Sequence, residues 1–232
     1  MSSSPVDLRV DWCSYRAAKY AVEHWHYSRT MPAGKTVKFG VWEDERFIGA
    51  VIFSRGANNN IGSPYGLKNT EVCELTRVAL AQHKANVTAI LSICIKKLKA
   101  HDAGLRLIVS YADSEQHHIG GIYQAGNWIY LGIAEKAGGL QYKINGKWVH
   151  KRTLGSRYGR RDKRYLDKLF PEAETRDDTD KYRYLYPLDR AMRRQIAPLA
   201  QPYPKRETSG PSVDGDTPVP TGEAGSTPAA RS

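Results

Sequence analysis

Side chains able to move protons or hold charge crowd the stretch from residue 110 to residue 131. Asp113, Ser114, Glu115, His117 and His118 follow an apolar run at 105–111, and Tyr123 comes shortly afterwards. The stretch reads as the end of a buried strand, a polar turn, a short helix and another strand. That places these groups where open α/β sheets build their sites. His26 and Tyr27 stand where the first predicted helix gives out, before the break Met31-Pro32-Ala33-Gly34, and Arg77 lies on a predicted central strand. Such a set can run general acid–base chemistry, with His26 or Asp113 taking a proton and Tyr123 giving one. The same oxygens and nitrogens suit iron, although no spaced metal motif accompanies them. Plainer roles are open too. Asp113 or Ser114 can cap a helix, and Ser114 in that role frees Asp113. Arg77 is either a paired structural arginine or an anchor for a substrate phosphate.

The elements that must position these groups follow from periodicity. Residues 8–10 read as a short strand and 12–25 as a helix with Asp11 as N-cap. Residues 36–42 and 47–54 form a hairpin, 55–69 a long loop, and 71–80 an alternating central strand. After a turn at 82–86, residues 87–100 have helical apolar spacing. The run 105–111 is apolar enough for a buried parallel strand. A helix at 115–124, a strand at 127–133 and a hairpin around Asn145-Gly146 complete the pattern. The fold class is α/β, a mixed sheet with helices on both faces.

This order resembles the GCN5-related acyltransferase (GNAT) fold, and Ile122-Tyr123-Gln124-Ala125-Gly126-Asn127-Trp128 resembles its end-of-helix signature. The resemblance implies that the loop after the fourth strand cradles a coenzyme A pyrophosphate on backbone amides. Its binding residues would be Gln82, Lys84, Asn86 and Thr88. Gln82 fits the pattern of that loop, but Ala85 and Val87 occupy its two glycine positions. Glycine is what permits close backbone approach to a phosphate.

Composition points to an anionic partner. The 232 residues carry a formal net charge of +11, and 41% hydrophobic content allows a real core. Arg157, Arg160, Arg161, Lys163, Arg164 and Lys168 surround Tyr158 and Tyr165, which suits a phosphate backbone with rings available for stacking. Three widely spaced cysteines fit neither a disulfide framework nor a zinc ribbon and suit a reducing cytoplasm. Neither a signal peptide nor an apolar run near the ~20 residues of a membrane span is expected. The organisation reads as a catalytic domain over 1–155, a basic Tyr/Arg-rich DNA-binding extension over 156–200 and a disordered tail over 201–232.

Three separated blocks, Glu23-His24-Trp25-His26-Tyr27-Ser28, Glu74-Leu75-Thr76-Arg77 and the stretch from Ser110 to Tyr123, resemble the phage Mom family. The resemblance implies a phage-encoded enzyme in the host cytoplasm that converts adenine in double-stranded DNA to its N6-carbamoylmethyl form, which evades restriction. It implicates His26, Tyr27, Arg77, Asp113 and Tyr123 as the active-site set. It also suggests iron, with His26, Tyr27, Asp113 and Tyr123 as ligands. Fold analogy offers acetyl-coenzyme A as donor. Product chemistry offers glycyl-tRNA, because the carbamoylmethyl group has the atoms of a glycyl group. Extrusion of the base is expected, with Trp25, Tyr65 or Trp128 stacking on it. The alternatives are a GNAT-fold N-acetyltransferase acting on a small amine or protein, and a non-catalytic nucleic-acid-binding protein. Oligomeric state is not legible in the sequence.

Overall fold

Strands β1 (Leu8–Trp12), β2 (Thr36–Glu43), β3 (Arg46–Ser54), β4 (Val72–Leu80), β5 (Leu107–Asp113), β6 (Ile129–Ala134) and β10 (Lys181–Pro187) form one mixed sheet. The computed structural model describes residues 6–32, 34–55, 60–114, 119–134, 139–177 and 181–205. The sheet order is β1-β2-β3-β4-β5-β10-β6, with β4 and β5 parallel and every other pair antiparallel.

Helix α1 (Tyr15–Trp25) covers one face, burying Ala18, Ala21 and Val22 against Ala50, Ile52 and Ala79. Its N-cap is Ser14, whose Oγ accepts from the Ala17 N–H at 3.1 Å. Asp11, expected in that role, lies on β1 and pairs with Lys97 at 3.1 Å. The strand runs further than the apolar pattern suggests because Trp12 stays paired with Phe39 on β2. Helix α2 (Val87–His101) covers the opposite face through Ile90, Leu91, Cys94, Ile95 and Leu98, as its spacing predicts. In the long loop, Ile61, Tyr65 and Leu67 pack onto the sheet beside Val72 and Leu107, so Tyr65 is buried and is not available to a flipped base.

The segment 156–200 does not stand apart from the sheet. Its residues 181–187 are β10, inserted between β5 and β6, with Tyr184 and Leu185 fully buried. Helix α6 (Arg190–Ile196) then returns Met192 and Ile196 to the core, and Asp189 caps it while pairing with Arg106 at 3.0 Å. The interleaving of tyrosines with basic residues is thus partly a strand alternation: Tyr184 is buried in the core, and Tyr182 and Tyr186 pack on the same face, partly buried.

The remaining basic residues belong to a smaller unit. Strands β7 (Leu140–Ile144), β8 (Lys147–His150) and β9 (Thr175–Asp177) form a second sheet, order β8-β7-β9. Helices α4 (Lys151–Tyr158) and α5 (Lys163–Leu169) pack on it around Tyr142, Leu154 and Leu166. Past Ala200, the first residues of the expected tail lie along β6: the Gln201 N–H donates to the Tyr130 carbonyl at 2.8 Å, and the Tyr203 hydroxyl to the Trp128 carbonyl at 2.6 Å. Residues 206–232 lie outside the described residues. No helix among the described residues is long and apolar enough to cross a membrane.

Four tyrosines, Tyr111, Tyr123, Tyr142 and Tyr184, are pushed up from the ordinary 10.0 to about 12, burial being the first cause in each. A phenol pKa raised by folding means that the folded state holds its proton longer than the unfolded chain. The stability from these buried phenols is fully present below pH 10 and is lost as pH rises from there through about 12. The expected result is a thermal midpoint steady across neutral pH that collapses above pH 10, with phenolate absorbance appearing together with unfolding. Phenolate absorbance that rose for all tyrosines at pH 10 in the still-folded protein would refute it.

Candidate active site

The site is a consequence of strand divergence. β4 and β5 pair from Val72–Leu75 against Leu107–Ser110 and then separate. A bulge drives the separation: Ile52 faces Arg77 and Phe53 faces Leu75, so Thr76 is an extra residue in β4. Beyond Leu75 and Ser110 the gap becomes a cleft of about 720 Å³, lined from the α1 side by Trp25, His26 and Tyr27. Arg77, Tyr111, Asp113 and Tyr123 line it as well. All five residues of the expected active-site set, His26, Tyr27, Arg77, Asp113 and Tyr123, therefore share one cavity.

His26 ends α1 in an extended conformation and is only 8% exposed. The Ser28 N–H donates to its Nδ1 at 3.1 Å, and the Ser28 Oγ is 2.8 Å from the same atom. A backbone N–H needs an acceptor, so in the neutral ring the proton sits on Nε2. The Tyr27 ring stacks on the imidazole at 4.4 Å. Although 49% of Tyr27 is open to solvent, burial of its hydroxyl end raises its pKa. The Asp113 carboxylate raises it further, while Arg77 opposes both.

Arg77 is tied to the backbone on both sides of the cleft. Its Nε donates to the Thr30 carbonyl at 3.2 Å and its Nη1 to the Thr76 carbonyl at 2.7 Å, which ties the segment after His26 to the bulge. Burial lowers its pKa, and Tyr27 and Glu74 push it back up. Asp113 is the last residue of β5, opposite Lys181 of β10.

Tyr123 enters from the other side of the cleft. Its helix α3 (Gly121–Ala125) is shorter than expected and is N-capped by Gly120, not by Ser114. Gly120 has φ +80, and a Cβ there would fall 2.3 Å from the Tyr184 ring. Glu115, His117 and His118 lie outside the described residues. The Tyr123 hydroxyl is 2.8 Å from the Ser110 Oγ, which is itself 2.9 Å from the Leu75 carbonyl. A carbonyl can only accept, so Ser110 donates to Leu75 and Tyr123 donates to Ser110. The phenol, pushed up to about 12 by burial, stays neutral at physiological pH. It rests with its proton held by Ser110 at the fork of the two strands. Ser110 was not among the candidates from sequence; a serine inside the mostly apolar strand 107–112 was the available signal.

Tyr111 was not legible as a cleft residue. Tyr111 lies on the cleft wall opposite Arg183 of β10, and the Arg183 Nε is buried with no hydrogen-bond partner among the described residues. Trp25 lines the cleft and remains available for stacking. Trp128 does not: it is fully buried against Tyr123 and Tyr186.

The iron implied by the resemblance gains no support from a carboxylate, thiol or imidazole cluster among the described residues. Among the described residues no group of three or more His, Cys, Asp or Glu side chains gathers. Tyr123 is a poor phenolate ligand with its proton committed to Ser110 and its pKa raised. The expected donor residues also stand away from the cleft. Gln82, Lys84 and Asn86 are exposed, and Thr88 lines a separate groove of about 190 Å³. His83 and Val87 of the same segment face the cleft instead. Arg157, Arg160, Arg161, Lys163 and Arg164 are all exposed on the α4–α5 unit, and none lines the cleft.

A mixed sheet with a cleft between splayed parallel strands, helices on both faces and proton-handling groups in the opening defines a GNAT-like α/β protein. Two solved structures are among those to which the chain is similar. The spermidine/spermine N-acetyltransferase SpeG from Vibrio cholerae is 12% identical, with 81% of this chain and 96% of that chain covered and a TM-score of 0.45. An N-acetyltransferase from Staphylococcus aureus Mu50 is 12% identical, with 78% and 97% covered and a TM-score of 0.44. At the level of sequence, the family model of the Mom protein family matches residues 7–205. The chain belongs to the Mom protein family. It is 26% identical over 208 residues to the methylcarbamoylase Mom of Escherichia phage Mu, covering 86% of this chain and 84% of that protein.

Proposed function

We propose that this chain is a phage DNA-modifying transferase that converts adenine to N6-carbamoylmethyladenine. The observation that carries the reading is the meeting of three separated sequence blocks, around His26, Arg77 and Asp113, in one cleft. An extruded adenine would enter from the α1 side, where Trp25 and the half-open Tyr27 ring can stack on it. Asp113 is the base for the N6 amine, because the neutral His26 tautomer offers a donor. His26 would then donate to the developing oxyanion, while Tyr123 keeps its proton on Ser110.

The donor in this reading is a glycyl ester, as on glycyl-tRNA. The N6 nitrogen attacks the ester carbonyl and loses a proton to Asp113, and the ribose hydroxyl departs with a proton. The glycyl amine next attacks ring carbon 6, and the original N6 leaves it as the amide nitrogen. The second step is an isomerisation and needs no oxidant. Nucleoside mass spectrometry of DNA incubated with the protein and isotope-labelled glycyl-tRNA tests this. Label in carbamoylmethyladenine supports it; label incorporated from acetyl-coenzyme A instead would sink it.

DNA and the tRNA would both be held by charge. Arg157 and Arg160 lie over the Tyr158 and Tyr165 rings at 5.7 and 5.6 Å. Replacing Arg157, Arg160, Arg161, Lys163 and Arg164 together with alanine leaves the buried Tyr142, Leu154 and Leu166 in place, so folding should persist. Each lost phosphate contact should flatten the dependence of log affinity on log salt by about 0.9 for duplex DNA. An unchanged salt slope would move the DNA to another face.

A further inference from the structure

We infer that the anion of the donor loop is supplied by the protein itself, through Glu43. On the GNAT-like reading, the segment between β4 and α2 would hold a donor pyrophosphate on its backbone amides. Two of those amides are already engaged. The Lys84 N–H donates to Glu43 Oε1 at 2.8 Å and the Ala85 N–H to the same oxygen at 2.5 Å. Glu43 is the last residue of β2 and only 3% exposed, so this carboxylate is built into the interior. The same hairpin grips the loop a second time, through Arg46, whose Nη2 donates to the Gln82 carbonyl at 3.1 Å.

A buried carboxylate accepting backbone N–H groups beside the positive end of a fifteen-residue helix is a stable arrangement. A pyrophosphate placed there would lose both amides and meet a fixed negative charge. The side chains agree with this. Ala85 and Val87 add side-chain bulk where the phosphate-binding pattern has glycine, which permits the closest backbone approach. The donor is therefore not gripped through a diphosphate at the start of α2, and its recognition must come from elsewhere on the basic surface. This conclusion concerns the donor loop alone and holds whether or not adenine is the acceptor.

The test is an amide-resolved NMR titration of the full chain with inorganic pyrophosphate and, separately, desulfo-coenzyme A. The wild type should show no saturable shift of the Lys84 and Ala85 amides up to about 1 mM, the weak end of the affinity scale. Glu43→Gln removes the charge and leaves an acceptor oxygen; its pyrophosphate affinity should rise at least about tenfold over the wild type. Saturable wild-type binding at these two amides would overturn the inference, as would equal pyrophosphate affinity in the wild type and in Glu43→Gln. Should Glu43→Gln not fold, the wild-type titration decides by itself, and neither readout requires DNA modification.

Discussion

Asp113→Asn should cut adenine modification by about 10²- to 10⁴-fold, the range that a positioned general base contributes. The substitution is isosteric and sits at the end of β5, lining the cleft. It removes a carboxylate that raises the Tyr27 pKa, so the Tyr27 pKa should move down as activity is lost. DNA affinity should hold, because the exposed charges of α4 and α5 are untouched. The thermal midpoint should also change little, since Asp113 is only partly buried at a strand end. Nucleoside mass spectrometry, DNA binding and thermal unfolding measured on the same preparation separate the outcomes. Full activity in the variant would remove Asp113 from the chemistry. Lost activity with lost DNA affinity would make it a structural residue, and binding retained by a chain that never modifies DNA in either form would favour a non-catalytic binder.

A chain ending at residue 155 should fail to fold, whereas one ending at residue 205 keeps every described strand and helix and should fold. The shorter chain lacks β10, so β5 and β6 would face each other across a missing strand with their backbone groups unpaired. It also lacks Tyr184, Leu185, Met192 and Ile196, all fully buried. At roughly 1.5–3 kcal/mol for each such side chain, their loss removes most of a net stability of about 5–15 kcal/mol. The site would go as well, because Tyr184 packs on Tyr123 at 5.1 Å and its hydroxyl donates to the Ile119 carbonyl just before α3. Circular dichroism and size-exclusion chromatography of the two truncations check this. A compact, cooperatively unfolding 1–155 fragment would show that the first 155 residues are an independent domain.

Local physics made much of this molecule legible before any coordinates. The apolar spacing of Ile90, Leu91, Cys94, Ile95 and Leu98 specifies the buried face of α2. The apolar run feeding Asp113 marks a buried strand, and Asn145-Gly146 marks a hairpin that forms as β7–β8. Asp113 at a strand end and His26 at a helix end could be picked out because their chemistry contrasts with the elements that carry them. Long-range partners carry no such local mark. Nothing in residues 181–187 says that they insert between two strands some fifty and seventy positions earlier, and nothing in Glu43 says that its carboxylate meets Lys84 and Ala85. The Tyr123–Ser110–Leu75 chain likewise depends on where β4 and β5 part. Residue type and periodicity determine which groups are able to do chemistry and which element each rides on. Only the tertiary structure decides which of them meet, because strand pairing and strand divergence are set by contacts between segments that no local window contains.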